Sequence, residues 1–129
     1  MRYVRAMSVR VEIDELAERL DEFGVTPYLL TTSADGRPHA THIVVGLVGR
    51  ELVCGVGRKS AQNAADRAAV CLLWPPTETG GFSLLVDGDA VVDSGNDETQ
   101  LRITPIAAVL HRNAKVDGYQ ADCAPLDGR

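Results

Sequence analysis

Residues 27–47 read PYLLTTSADGRPHATHIVVGL, and this stretch predicts the β-hairpin around which the rest of the chain is organised. Residues 27–33 are rich in aromatic and β-branched side chains, which favour strands. The four residues that follow, ADGR, are typical of a tight turn between antiparallel strands. In the second strand, residues 38–47, side chains alternate between two faces, with His39, Thr41 and Ile43 on the same one. The segment therefore predicts an antiparallel, mainly β domain.

Four more apolar segments predict further strands, at residues 51–56, 69–74, 82–93 and 99–110. Helical spacing predicts a first helix over residues 13–20, ended by Gly24, and a second over residues 60–67. Residues 1–10 are predicted to form an irregular basic arm. Gly88 and Pro105 lie inside predicted strands, where they indicate a β-bulge or a sheet edge. Six strands, tight turns and two helices predict a small antiparallel barrel.

The composition of the 129 residues predicts one domain, with a core over about residues 12–112 and a loosely ordered tail from residue 113. A net charge of −5 argues against nucleic-acid binding. The three cysteines are widely spaced, which predicts neither zinc binding nor a disulfide framework and favours a reducing compartment. No segment is apolar for long enough to serve as a signal peptide or to span a bilayer, so we expect a cytoplasmic protein.

Residues 57–63, GRKSAQN, join the end of a predicted strand to the start of the second helix. The first turn of a helix has unpaired N–H groups and the positive end of the helix dipole, both of which favour an anion. Arg58 adds a planar set of donors and Lys59 a mobile charge. Two interpretations remain open: a site for a phosphate-bearing ligand, and a solvated basic pair on a helix capped by Ser60.

Four segments, taken in order and spacing, carry a resemblance to a known family. They are residues 28–39, 57–63, 70–76 and 85–92, within a matching region of about residues 12–112. The chain resembles the pyridoxamine 5′-phosphate oxidase-like family of split β-barrel flavoproteins. The resemblance implies a six-stranded antiparallel split β-barrel that forms a homodimer, with cofactors bound across the subunit interface.

The same resemblance implies a set of cofactor-binding residues. Arg58 and Lys59 would hold the cofactor phosphate, with hydrogen bonds from Ser60 and Asn63 nearby. Trp74 would reach the neighbouring subunit's site. The remaining residues would lie along the ring and its side chain: His42, Ile43, Val44, Val45, Cys54 and Gly55. The implied cofactor is flavin mononucleotide (FMN), with a deazaflavin or haem as alternatives, and no metal site is implied.

The implied function is that of an oxidoreductase that transfers hydride to a small organic substrate. True pyridoxamine phosphate oxidases carry a C-terminal Arg-x-His motif that residues 116–129 lack, so that particular activity is not expected. The turn before Arg58 is also shorter than in those oxidases, which is why a deazaflavin stays among the cofactors. Two alternatives are a non-catalytic barrel that binds flavin or haem for storage or sensing, and a dimeric interaction module with an empty groove.

Two aromatic residues, His42 and Trp74, each allow two interpretations. His42 is either a flavin contact and proton donor or a barrel histidine paired with a backbone carbonyl. Trp74 either lies near a cofactor or the dimer interface, or anchors the core. His39, next to the hairpin turn, is expected to be exposed.

Overall fold

The computed structural model describes residues 6–95 and 98–113. Within them the chain forms a 3-10 turn and two α-helices, α1 (Leu16–Phe23, after the turn Ile13–Glu15) and α2 (Arg58–Asp66). The described residues also form eight strands: β1 (Ala6–Val11), β2 (Tyr28–Thr32), β3 (Pro38–His42), β4 (Val45–Val48), β5 (Glu51–Gly55), β6 (Ala69–Trp74), β7 (Ser83–Asp93) and β8 (Gln100–Asn113). The predicted tail begins at residue 113, which the structure places at the end of β8, and residues 114–129 lie outside the described residues.

All strand pairs are antiparallel, and the sheet runs in the order β3-β2-β6-β7-β8-β5-β4, with β1 also paired to β8. The two ends of this order, β3 and β4, are joined in the chain by residues 43 and 44 alone. There Ile43 N donates to Pro27 O at 3.1 Å and Val45 N donates to Val25 O at 2.8 Å. Because its first and last strands meet, the sheet curls into a barrel, and the predicted mainly β, antiparallel barrel class is confirmed.

The structure differs from the sequence prediction in having two more strands. Residues 6–10 are not irregular, because β1 pairs with residues 108–113 of β8, a partner about a hundred positions away in the chain. The predicted strand 38–47 is two strands, since β3 pairs with β2 whereas β4 pairs with β5. The predicted alternation nevertheless continues across the break, as Ile43 is half-buried, Val45 buried and Val44 exposed.

The predicted bulge is present, and it involves both residues that indicated it. Asp87 pairs with Ala107 and Gly88 with Pro105, so Ile106 is the additional residue in β8. A Cβ atom at Gly88 would lie 2.6 Å from Ile103 Cγ2 and 2.7 Å from the Thr104 carbonyl oxygen. The missing N–H of Pro105 is tolerated because β5 pairs with residues 100–103 and β1 with residues 108–113, which leaves Pro105 between them.

The core fills the barrel with the inward side chains of the central strands, chiefly Leu29, Leu72, Leu84, Val86, Leu101 and Ile103. Each such side chain contributes about 1.5–3 kcal/mol by leaving water. Strand β6 is apolar on both faces, and the structure buries Val70, Leu72 and Trp74 inside while Cys71 and Leu73 are half-buried outside.

Candidate functional site

A cleft of about 940 Å³ opens on the barrel beside the first turn of α2. Its walls come from segments that are distant in the sequence: the end of β3 and the two residues after it, the end of β5, the start of α2, and residues 98–99. The lining residues are Thr26, His39, Thr41, His42, Ile43, Val44, Gly55, Val56, Gly57, Arg58, Lys59, Ser60, Glu98 and Thr99. A volume of this size lies within the range of small-molecule and cofactor sites.

Helix α2 begins in this cleft without a side-chain cap. The N-cap residue is Gly57, in an extended conformation (φ −81°, ψ 178°), and no acidic residue lies in the first turn. The hydrogen bond that starts the helix runs from Ala61 N to Gly57 O at 3.0 Å. The N–H groups of residues 58–60 precede it and so have no partner within the helix. Together with the helix dipole they favour an anion.

The helix begins at Arg58 rather than at residue 60, so both cations belong to its first turn. Both side chains are exposed, and neither forms an ion pair with a carboxylate in the described ranges 6–95 and 98–113. Ser60 does not cap the helix: it is the third helical residue, 3% exposed, with its Oγ 3.4 Å from Thr41 Oγ1. Glu98 is the carboxylate among the lining residues. Among the described residues no carboxylate is paired with either cation, so a ligand in the cleft can meet both charges.

His42 is fixed by its neighbours at the rim of the cleft. Its Nε2 donates to the carbonyl oxygen of Thr26 at 2.9 Å, and its ring stacks on Tyr28 with centroids 4.9 Å apart. Pairing with a backbone carbonyl, one of the two interpretations from the sequence, is therefore confirmed, while the ring also lines the cleft.

The expectation that His39 is exposed is wrong. The side chain is half-buried and lines the cleft, and its Nδ1 is buried with no hydrogen-bond partner in the described part of the chain. The reason is the strand alternation, since residue 39 lies on the same inward face of β3 as Thr41 and directly opposite Thr31 of β2.

Two polar contacts hold α2 against the hairpin. Asn63 is 2% exposed, and its Nδ2 donates to Thr31 Oγ1 at 3.1 Å. One helical turn earlier, Ser60 meets Thr41. These two contacts, one buried and one half-buried, fix the position of the first turn of α2, and with it the two cations, relative to β2 and β3.

The structure brings seven of the predicted site residues to the cleft: His42, Ile43, Val44, Gly55, Arg58, Lys59 and Ser60. Four others do not line it and are at most 2% exposed: Val45, Cys54, Asn63 and Trp74. Trp74 anchors the core, as its indole lies inside the barrel. At the end of β5, residues 98–99 join the cleft through a hydrogen bond from Val56 N to Thr99 O at 3.0 Å. No local sequence signal marks that contact, whereas the alternation of β3 does mark His39 and Thr41.

The residues that the structure describes hold no group of three or more His, Cys, Asp or Glu side chains that could bind a metal ion. Neither of their helices has the length and apolar character needed to cross a membrane.

Solved structures define the class of fold. A protein from Listeria innocua assigned as a pyridoxamine 5′-phosphate oxidase matches with a TM-score of 0.63 at 17% identity, covering 76% of this chain and 96% of its own. An FAD-binding protein from Mesorhizobium loti matches with a TM-score of 0.65 at 12% identity, covering 85% and 99%. An F420 reductase matches with a TM-score of 0.57 at 17% identity, covering 70% and 94%. The chain thus has the split β-barrel fold of pyridoxamine 5′-phosphate oxidase-like proteins, and the resemblance seen in the sequence is confirmed for the fold.

Sequence comparison identifies closer relatives. No protein-family model matches the chain. Two uncharacterised mycobacterial proteins, one from Mycobacterium bovis and one from Mycobacterium tuberculosis, are each 37% identical to it over 87% of both lengths. The chain belongs to the same family as these two proteins.

Proposed function

We propose that this protein binds a flavin-type coenzyme by its phosphate in the cleft, and that it acts as an oxidoreductase on a small organic substrate. The observation that carries the proposal is the first turn of α2, where Arg58 and Lys59 meet uncapped backbone N–H groups at a cleft of about 940 Å³. The binding of FAD by one protein of this fold, and the F420 reductase activity of another, support it.

The lining residues fit such a coenzyme in two parts. The anionic end fits the first turn of α2, where a phosphate would accept charge-assisted hydrogen bonds from Arg58 and the helix N–H groups. The apolar side chains of Ile43, Val44 and Val56 offer a surface for a planar ring. A bound flavin or deazaflavin supplies the chemistry of hydride transfer. The role of the chain is to anchor the coenzyme, to orient it and to keep water away from it.

The proposal includes a homodimer in which a second copy covers the cleft. Apolar side chains at the cleft and beside it are exposed in the single chain, with Val44 65% and Val25 47% exposed. Exposed apolar residues grouped beside a ligand cleft are typical of an interaction surface. Sedimentation velocity of wild type and of Val44→Lys tests this: we expect a dimer for the wild type and a monomer for the variant. A monomeric wild type at micromolar concentration would contradict the dimer.

The experiment that tests the function is coenzyme binding to the purified protein. Its visible spectrum is recorded, and it is then titrated with FMN, FAD, F420 and haem. We expect micromolar or tighter binding of at least one of the three phosphate-bearing coenzymes. Absence of binding for all three, or binding of haem alone, would contradict the proposal. Turnover of the loaded protein with reduced nicotinamide or reduced F420 then separates an oxidoreductase from a barrel used for storage or sensing.

A further inference from the structure

His39 is a cleft residue to which the proposed function gives no role. Its ring lines the same cleft as Arg58 and Lys59, yet its Nδ1 is buried and has no hydrogen-bond partner in the described part of the chain. Most buried polar atoms in folded proteins are paired, so an unpaired ring nitrogen in a cleft requires an explanation.

The burial of Nδ1 decides which ring nitrogen can meet a ligand. A neutral imidazole carries its proton on one nitrogen, while the other nitrogen is an acceptor. A proton on Nδ1 would place an N–H donor in the interior without an acceptor, and buried N–H groups without a partner are rare. The proton therefore belongs on Nε2, which is also the only ring nitrogen that can reach a molecule in the cleft. His39 thus offers the cleft a hydrogen-bond donor.

The position of His39 relative to α2 indicates which part of the ligand it meets. Its cross-strand neighbour Thr31 is bonded to Asn63 of α2, and Thr41, two residues along β3, contacts Ser60 in the first turn. Helix α2 therefore lies along this part of the hairpin, with its first turn beside Thr41, and that turn and His39 line the same cleft. We propose that His39 donates a hydrogen bond from Nε2 to a phosphate oxygen of the ligand whose anionic end Arg58 and Lys59 hold. This inference rests on the proposed function.

The test compares two ligands that differ only by the phosphate, FMN and riboflavin. His39→Leu keeps a side chain of similar size but removes the donor. The side chain in His39→Asn is too short for its amide to reach the position of Nε2. The longer side chain in His39→Gln places an amide nitrogen near that position. We expect His39→Leu and His39→Asn to weaken FMN binding about three- to tenfold while riboflavin affinity stays within about twofold. His39→Gln should recover most of the loss. The same variants are titrated with F420 and its phosphate-free chromophore, so that either coenzyme gives an answer.

The control is His111→Gln, since His111 lies outside the cleft, with its Nδ1 3.2 Å from Ser8 Oγ. It should leave both affinities unchanged. If the wild type does not bind the phosphate-bearing ligands, or does not prefer them to their phosphate-free forms, the proposed function itself fails. If the wild type shows that preference and the Leu and Asn variants keep it in full, or lose affinity equally for both forms, the role of His39 is overturned.

Discussion

The indole nitrogen of Trp74 donates a hydrogen bond to the carbonyl oxygen of Gly24 at a distance of 2.9 Å. This bond joins the last residue of β6 to the residue that ends α1, and the Trp74 side chain is 1% exposed. Of the two interpretations from the sequence, the core anchor is therefore the one that the structure shows, because the indole has no surface left for a ligand in this chain.

We expect Trp74→Phe to lower the free energy of unfolding by about 1–3 kcal/mol. The phenyl ring keeps much of the packing, but it leaves unfilled part of the space that the buried indole occupies, and the bond to the Gly24 carbonyl is lost. Urea unfolding followed by circular dichroism measures the change. Tyr28→Phe is the matched control, since Tyr28 is 40% exposed, and it should shift stability by less than about 0.5 kcal/mol. Equal effects from both variants would contradict the assignment.

The bond between Asn63 and Thr31 gives a second prediction. Asn63→Ala should destabilise the protein by about 1–3 kcal/mol, because the Thr31 hydroxyl then stays buried without its donor. In the Thr31→Val background the same change should have a smaller effect, since the hydroxyl is already absent. A double-mutant cycle measured by urea unfolding should give a coupling of about 0.5–1.5 kcal/mol. Strict additivity would mean that the two side chains do not interact.

The bulge predicts that Gly88 accepts no side chain. An added Cβ would lie 2.7 Å from the Thr104 carbonyl oxygen, which is backbone and cannot turn away. Gly88→Ala should therefore destabilise by about 1–3 kcal/mol or more. Gly46→Ala is the control, because a Cβ there meets no atom within 4 Å, and it should be neutral or stabilise by up to about 1 kcal/mol. Thermal unfolding of both variants compares them directly, and a stable Gly88→Ala protein would refute the close approach.

Removal of the two cleft cations, Arg58 and Lys59, should weaken the binding of phosphate-bearing ligands without unfolding the protein. We expect the double variant Arg58→Ala, Lys59→Ala to bind its coenzyme at least about tenfold more weakly, because a charge-assisted contact contributes about 1.5–3 kcal/mol. The control removes the same charge elsewhere, with Arg37→Ala and Arg50→Ala, whose exposed ion pairs contribute little. Fluorescence titration measures both. Equal losses in the two double variants would indicate a general charge effect rather than a site.

The two thiols of the described chain should make stability depend on pH above 9. Burial raises the pKa of Cys54 to about 11 and that of Cys71 to about 12, the latter helped by the charge and hydrogen bond of Asp87, from an ordinary value of 9.0. Well below pH 9 both thiols are protonated in the folded and the unfolded chain. Above it the unfolded chain loses protons that the folded chain keeps, so the free energy of unfolding falls between pH 9 and about pH 11–12.

This pH effect is measured in a Cys123→Ser background, with and without Cys54→Ala and Cys71→Ala. The parent should lose up to about 1.4 kcal/mol per pH unit per thiol more than the variant without them. Both thiols should also resist Ellman's reagent in the folded protein at pH 8, since the thiolate is the reactive form. Identical pH slopes for the two proteins would show that the thiols are not the cause.

Much of the fold follows from local signals, which is why the sequence predicts it. The hairpin, the antiparallel class and the bulge at Gly88 each depend on residues close together in the chain or on the conformational limits of one residue. The same holds for Arg58 and Lys59, because their place at the start of α2 follows from the order of the residues themselves.

The tertiary structure decides what depends on distant partners. Strand β1 exists because β8 pairs with it, and residues 98–99 reach the cleft because Thr99 pairs with Val56. Strand β6 has apolar side chains on both faces, so its sequence does not show which face lies inside. The closure of the barrel decides this, and it buries Trp74 away from the cleft. The alternation of a strand defines two faces, but which of them meets the core and which meets the cleft is set by the strands and helices that pack against it.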